Sequence, residues 1–83
     1  PRAICRGERL FKRGEVAADA LVRNALAELE KEPLARVEYV KLCDAETLEE
    51  VERVDEPAVL ALAVHIGKAR LIDNRVLAHS EGE

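Results

Sequence analysis

Four arginines open the chain at Arg2, Arg6, Arg9 and Arg13, spaced four, three and four residues apart. On a helix that spacing lines them along one side. A row of guanidinium groups suits phosphate, because each offers paired N–H donors and a fixed charge. The plainer account takes precedence: a solvated helix face, with Lys12 and Arg13 complementing the negative C-terminal end of the helix dipole. Aromatic residues make up only 2% of the chain, which argues against stacking on nucleic-acid bases. For nucleophilic catalysis the one sensible thiol–imidazole pair is Cys43 with His65, if adjacent strands bring them together. No spacing motif supports that pair, and a buried structural cysteine with a partly exposed strand histidine is the far commoner arrangement. Ser80 has His79 beside it but no orienting acid and no structured turn. A metal site would need Cys5, Cys43, His65 and His79 to converge from four separate places. The carboxylates Asp44, Glu46, Glu49, Glu50, Glu52, Asp55 and Glu56 are dense, but lack the alternating ligands and central glycine of a calcium loop. They read as a solvated connector. His65-Ile66-Gly67-Lys68 fails as an H-I-G-H nucleotide signature, since Lys68 replaces the second histidine and a hairpin, not a helix, follows. No phosphate-binding glycine pattern occurs. The residues therefore assign no catalytic, cofactor-binding or metal-binding position.

Composition sets the frame in which these residues sit. The chain has 83 residues, 48% apolar and 36% charged, which fits one folded domain and not a disordered one. No apolar run approaches the roughly 20 residues of a membrane helix, and no signal peptide opens the chain. Two cysteines make no disulfide framework, so a reducing, cytoplasmic setting is expected. The chain starts at Pro1 and contains no Met, which leads us to expect a piece of a longer protein. Polar uncharged side chains are scarce: one Ser, one Thr, two Asn and no Gln. An active site usually gathers several of them. Residues 1–13 carry five basic groups against Glu8, a net of +4, whereas the rest carry 8 basic and 16 acidic groups, a net of −8. The overall charge of −4 speaks against nucleic acid as a partner.

Elements that could position these residues follow from periodicity. Ala3, Ile4, Gly7, Leu10 and Phe11 share one helical face, and Gly14 ends that helix. A second helix is expected over about Glu15 to Lys31, with an apolar stripe of Ala18, Leu21, Val22, Ala25, Leu26 and Leu29, stopped by Pro33. Ala35 to Cys43 reads as a strand, Asp44 to Leu48 as a turn capped by Asp44, and Ala58 to Ile66 as the central strand. Val51 and Val54 are expected to tuck the connector onto the sheet. Gly67-Lys68 reads as a type II′ hairpin turn and Ala69 to Asp73 as the returning strand. The chain is expected to fray after Val76, leaving residues 1–77 as the domain and 78–83 as a flexible tail. The result is α-α-β-β-β: an α+β two-layer sandwich, with a helical hairpin covering a three-stranded, mostly antiparallel sheet.

Four segments, in order and at matching spacing, resemble the pantoate–β-alanine ligase family. Gly67 to Asn74 (GKARLIDN) is similar to its final hairpin. Leu10 to Glu15 (LFKRGE) resembles its Gly-Glu helix end, Glu32 to Asp44 its first C-terminal strand, and Asp44 to Leu48 with Pro57 to Val64 its connector and central strand. The resemblance covers about residues 3–77. It implies the C-terminal, lid-like domain of an enzyme that uses ATP and magnesium to join pantoate to β-alanine through pantoyl adenylate. It also implies a partner N-terminal nucleotide-binding domain in the same enzyme, a parent homodimer, and no catalytic residue on this chain, since the family's catalytic groups match no position here. Some of the basic-helix arginines would then lie near the hinge and sense phosphate. The alternative reading is a free-standing protein-interaction module.

Overall fold

Side-chain alternation and helical spacing place the apolar residues where the structure uses them. The computed structural model describes residues 2–79. Helix α1 (Arg2–Lys12) buries Ala3, Ile4, Gly7 and Phe11, a stripe at helical spacing. It closes at Gly14, whose N–H donates to the Phe11 carbonyl at 2.9 Å with a φ of 110°, a conformation that glycine adopts without strain. Helix α2 (Ala18–Leu29) buries Leu21, Ala25 and Leu29. It starts later than expected. The Val54 N–H donates to the Val16 carbonyl at 2.9 Å and the Ala18 N–H to the Glu52 carbonyl at 2.8 Å. The backbone of residues 16–18 is thus paired with the acidic connector, and Ala17 sits opposite Arg53. Helix propensity at Glu15–Ala17 yields to this long-range pairing.

The strands are β1 (Ala35–Asp44), β2 (Ala58–Ile66) and β3 (Ala69–Leu77), antiparallel in the order β1-β2-β3. The two helices and the sheet form the expected α+β layout. Ala58, Leu60, Leu62 and Val64 alternate along β2 toward the helices and join Ile4, Leu21, Ala25, Leu42, Val54 and Leu77 in the core. Val54 is 1% exposed and Val51 packs partly buried beside it, so the connector lies on the core as its valines imply. Gly7 lets α1 approach the sheet: a Cβ there would fall inside 3.0 Å of the Leu60 Cδ2 methyl. Gly67 has a φ of 60° and Lys68 is not left-handed, which suits the first position of a type II′ turn between the paired residues Ile66 and Ala69.

Two further features depart from the sequence reading. Strand β3 does not stop at Asp73; its pairing runs to Leu77 opposite Ala58, and Leu77 is 1% exposed. Polar Asp73, Asn74 and Arg75 masked the strand because they lie on an edge, where polar side chains are common. Leu77 is therefore paired and buried just where fraying is expected to begin. His79 Nε2 lies 2.9 Å from the Val54 carbonyl oxygen and its ring 5.1 Å from that of Phe11. The remainder of the expected tail, residues 80–83, lies outside the described residues, as does Pro1. The second departure is a bulge: register shifts between Val37 and Tyr39, leaving Glu38 as the extra residue.

Candidate functional site

The face of α1 opposite its buried stripe carries the arginines, and α2 lies beside it. On α2, Glu28 has a side chain only 9% exposed and meets Lys31 Nζ at 3.1 Å, Arg6 Nε at 3.7 Å and Arg2 Nη1 at 4.0 Å. The Lys31 hydrogen bond, aided by Lys31, Arg6 and Arg2 charge, holds the Glu28 carboxyl below its usual range. One carboxylate is thus shared among three cations. Arg9 and Arg13 make no ion pair among the described residues, and both are exposed. Two adjoining hollows mark this seam. One, of about 110 Å³, is lined by Arg6, Arg9, Leu10, Arg13 and Asn24; the other, of about 320 Å³, by Arg2, Cys5, Arg6, Arg9, Glu28 and Lys31. The Asn24 Oδ1 atom is buried at the first hollow with no hydrogen-bond partner among the described residues. Unpaired buried polar atoms are uncommon in native proteins. The arginine spacing was legible in the sequence; the sharing of Glu28 and the placement of Asn24 required the packing of two helices.

The other candidates separate. Cys43 pairs with Val59 and His65 with Arg36, so their rows stand six positions, about 20 Å, apart along β2. The thiol and imidazole do not meet, and Cys43 is a buried strand residue, 5% exposed. Cys5 is exposed on α1, and His79 is occupied by Phe11 and the Val54 carbonyl. Among the described residues no three His, Cys, Asp or Glu side chains come within reach of one metal ion. Ser80 lies outside the described residues. In the acidic connector, Asp44 Oδ1 accepts the N–H groups of Glu46 at 2.8 Å and Thr47 at 2.9 Å, the expected cap. Those two bonds, Thr47 first, lower its pKa. Asp55 pairs with Arg53 at 2.9 Å. His65-Ile66-Gly67-Lys68 ends β2 at the hairpin and opens no helix.

Sequence reasoning missed a charged cluster at the hairpin end of the sheet. Arg36, His65 and Arg70 stand in one cross-strand row. Glu38, two residues along β1 from Arg36 and so on the same face, meets two of them: Arg70 Nε donates to Oε1 at 3.0 Å, Arg70 Nη2 to Oε2 at 2.9 Å, and His65 Nε2 lies 3.0 Å from Oε1. Arg70, then His65, depresses the Glu38 pKa. The pairing spans three strands and depends on their register, so it was not legible. A second unforeseen pair, Arg75 with Glu8, ties β3 to α1. It flanks a hollow of about 610 Å³ between the end of α1 and the end of β3, lined in part by Phe11, Lys12, Leu77 and His79.

Comparison with known proteins gives one consistent result. The family described as Pantoate-beta-alanine ligase matches residues 2–76. A pantothenate synthetase of Ruminiclostridium cellulolyticum is 40% identical over 73 residues, which are 88% of this chain and 26% of that protein. A bifunctional pantoate ligase/cytidylate kinase of Synechococcus sp. (strain RCC307) is 46% identical over 77 residues, covering 93% of this chain and 15% of that protein. The crystal structure of pantothenate synthetase from Thermus thermophilus superposes with a TM-score of 0.80 at 26% identity, over 89% of this chain and 26% of that one. The chain thus spans about a quarter of the length of such synthetases. With almost every described residue inside the match, and the same two helices and three strands carrying it, the chain belongs to the pantoate–β-alanine ligase family.

Proposed function

We propose that this chain serves as the C-terminal, lid-like domain of an ATP-dependent ligase that joins pantoate to β-alanine. In that reaction the pantoate carboxylate attacks the α-phosphorus of ATP, pyrophosphate leaves, and pantoyl adenylate forms. The β-alanine amine then attacks the acyl carbon, AMP leaves, and an amine proton is lost as pantothenate forms. The adenylate is an activated anhydride that water can destroy. A small domain that closes over it excludes water until the amine arrives. The observation that carries this reading is the match over residues 2–76 by a chain spanning 26% of a synthetase.

The division of labour is that this chain supplies cover, while an N-terminal nucleotide-binding domain supplies catalytic groups. No catalytic residue is assigned here. Magnesium accompanies ATP in this reading, but the described residues gather no acidic or imidazole cluster to hold it, so no step is derived through it. The parent enzyme is read as a cytoplasmic homodimer; among the described residues no helix is long and apolar enough to cross a membrane. The interaction-module alternative rests on the sheet face away from the helices, where Ile72 and Val76 are each 56% exposed. A ligase lid would use such a face too, and family membership supports the lid reading. The test deletes the matching segment from the R. cellulolyticum synthetase and, separately, replaces it with this chain. Deletion is expected to yield AMP in excess of pantothenate, and the chimera to restore equal yields. Equal yields from the deleted enzyme would overturn the lid reading.

A further inference from the structure

The seam between α1 and α2 holds more positive charge than the chain neutralises. Its two hollows are lined by five cations, Arg2, Arg6, Arg9, Arg13 and Lys31, against the single carboxylate of Glu28, a net of +4. Like charges so spaced on a helix repel one another. Arg6 and Arg9 are separated by about 4.5 Å of rise along α1, with Arg13 just past its end, a spacing that suits linked phosphates better than a single one. Asn24, which lines the same hollow as Arg9 and Arg13, keeps its Oδ1 buried and without a hydrogen-bond partner among the described residues. An arginine folded down onto that oxygen gives it the donor it lacks and leaves its remaining N–H edge facing outward.

We propose that this seam binds a polyphosphate anion. Arg9 and Arg13 are its principal donors, Arg6 is shared between the anion and Glu28, and Asn24 anchors a guanidinium. The choice of a polyphosphate rests on the ligase reading, in which ATP is consumed and pyrophosphate released. The charge imbalance and the orphaned amide oxygen do not rest on it. An acidic protein segment is the other occupant such a seam would accept, and the test separates the two.

The experiment titrates the isotopically labelled chain with inorganic pyrophosphate, with metal-free ATP, with inorganic phosphate and with a poly-glutamate peptide, at low ionic strength. Pyrophosphate and ATP are expected to shift the backbone resonances of residues 6–13 and the Asn24 side-chain amide saturably, with phosphate weaker. Arg9→Lys/Arg13→Lys keeps the charge but loses the forked donors and is expected to weaken pyrophosphate about ten-fold. Arg9→Glu/Arg13→Glu is expected to abolish binding, with an unchanged far-ultraviolet spectrum because both side chains are exposed. Absence of saturable shifts would overturn the proposal. So would a lysine pair that binds like the parent, ATP bound where pyrophosphate is not, or poly-glutamate bound more tightly than pyrophosphate. The titration uses no ligase activity. A negative titration beside a coupled chimera removes the anion site alone, and a positive titration beside an uncoupled chimera removes the lid alone.

Discussion

Gly7→Ala isolates the closest approach of the helix layer to the sheet. Two opposing effects set its magnitude. Alanine in a helix interior gains about 0.5–1 kcal/mol over glycine. The new methyl, however, falls inside 3.0 Å of the Leu60 Cδ2 atom, and Leu60 is 0% exposed, so its side chain must shift within the core. Overpacking of this kind costs about 1–3 kcal/mol. The expected net loss is about 0.5–2 kcal/mol, a fall in Tm of about 4–8 °C for each kcal/mol in a domain of this size. Leu60→Val alone removes the colliding methyl and costs about 1 kcal/mol as a small cavity. In the double variant the alanine fills space that valine vacates, so the two losses do not add. A favourable coupling of about 1 kcal/mol is expected. Urea unfolding of the four proteins, followed by circular dichroism, measures it. Additivity within about 0.3–0.5 kcal/mol, or a Gly7→Ala variant more stable than the parent, would refute the close approach.

Two further predictions concern the strand end and the charged row. Leu77→Ala is expected to cost about 2–5 kcal/mol, because Leu77 is a fully packed core residue; a change within about 0.5 kcal/mol in urea unfolding would mean the chain does fray after Val76. The Glu38 pKa is depressed by Arg70 and then by His65, so its contribution to stability is present above the ordinary glutamate value and is lost as pH falls through the lowered one. The urea midpoint should therefore fall on acidification through that window, and Glu38→Gln should flatten that part of the profile; identical profiles would show that the pairing has no thermodynamic weight.

What the sequence disclosed, and what it hid, divides along the range of the interactions involved. The buried face of α1 was legible because Ala3, Ile4, Gly7 and Phe11 repeat at helical spacing, and β2 because its branched run is bounded by Pro57 and Gly67. The turn at Gly67 announced itself through glycine's backbone freedom. The start of α2 did not, because the backbone of Val16 and Ala18 bonds to residues more than thirty positions away. Strand β3 was cut short at Asp73 because polarity on an edge strand looks like a loop when partners are unknown. For the candidate site, spacing put four arginines on one side. Only the packing of α2 showed that Glu28 neutralises one charge of the three around it and that Asn24 Oδ1 lies unpaired. Glu38 was invisible as a partner of Arg70 because β1 and β3 flank β2 and only the register of all three strands brings the two residues level.

The most direct test of the central claim is to trap the adenylate. Hydroxylamine, a small nucleophile, is added to pantoate, ATP and magnesium without β-alanine. The R. cellulolyticum synthetase, the same enzyme lacking the matching segment, and the chimera carrying this chain are compared for hydroxamate formed. The account predicts little hydroxamate from the intact enzyme, a large rise on deletion, and a return to the intact level in the chimera. Equal trapping by the intact and deleted enzymes, or by the deleted enzyme and the chimera, would contradict a covering role for this chain.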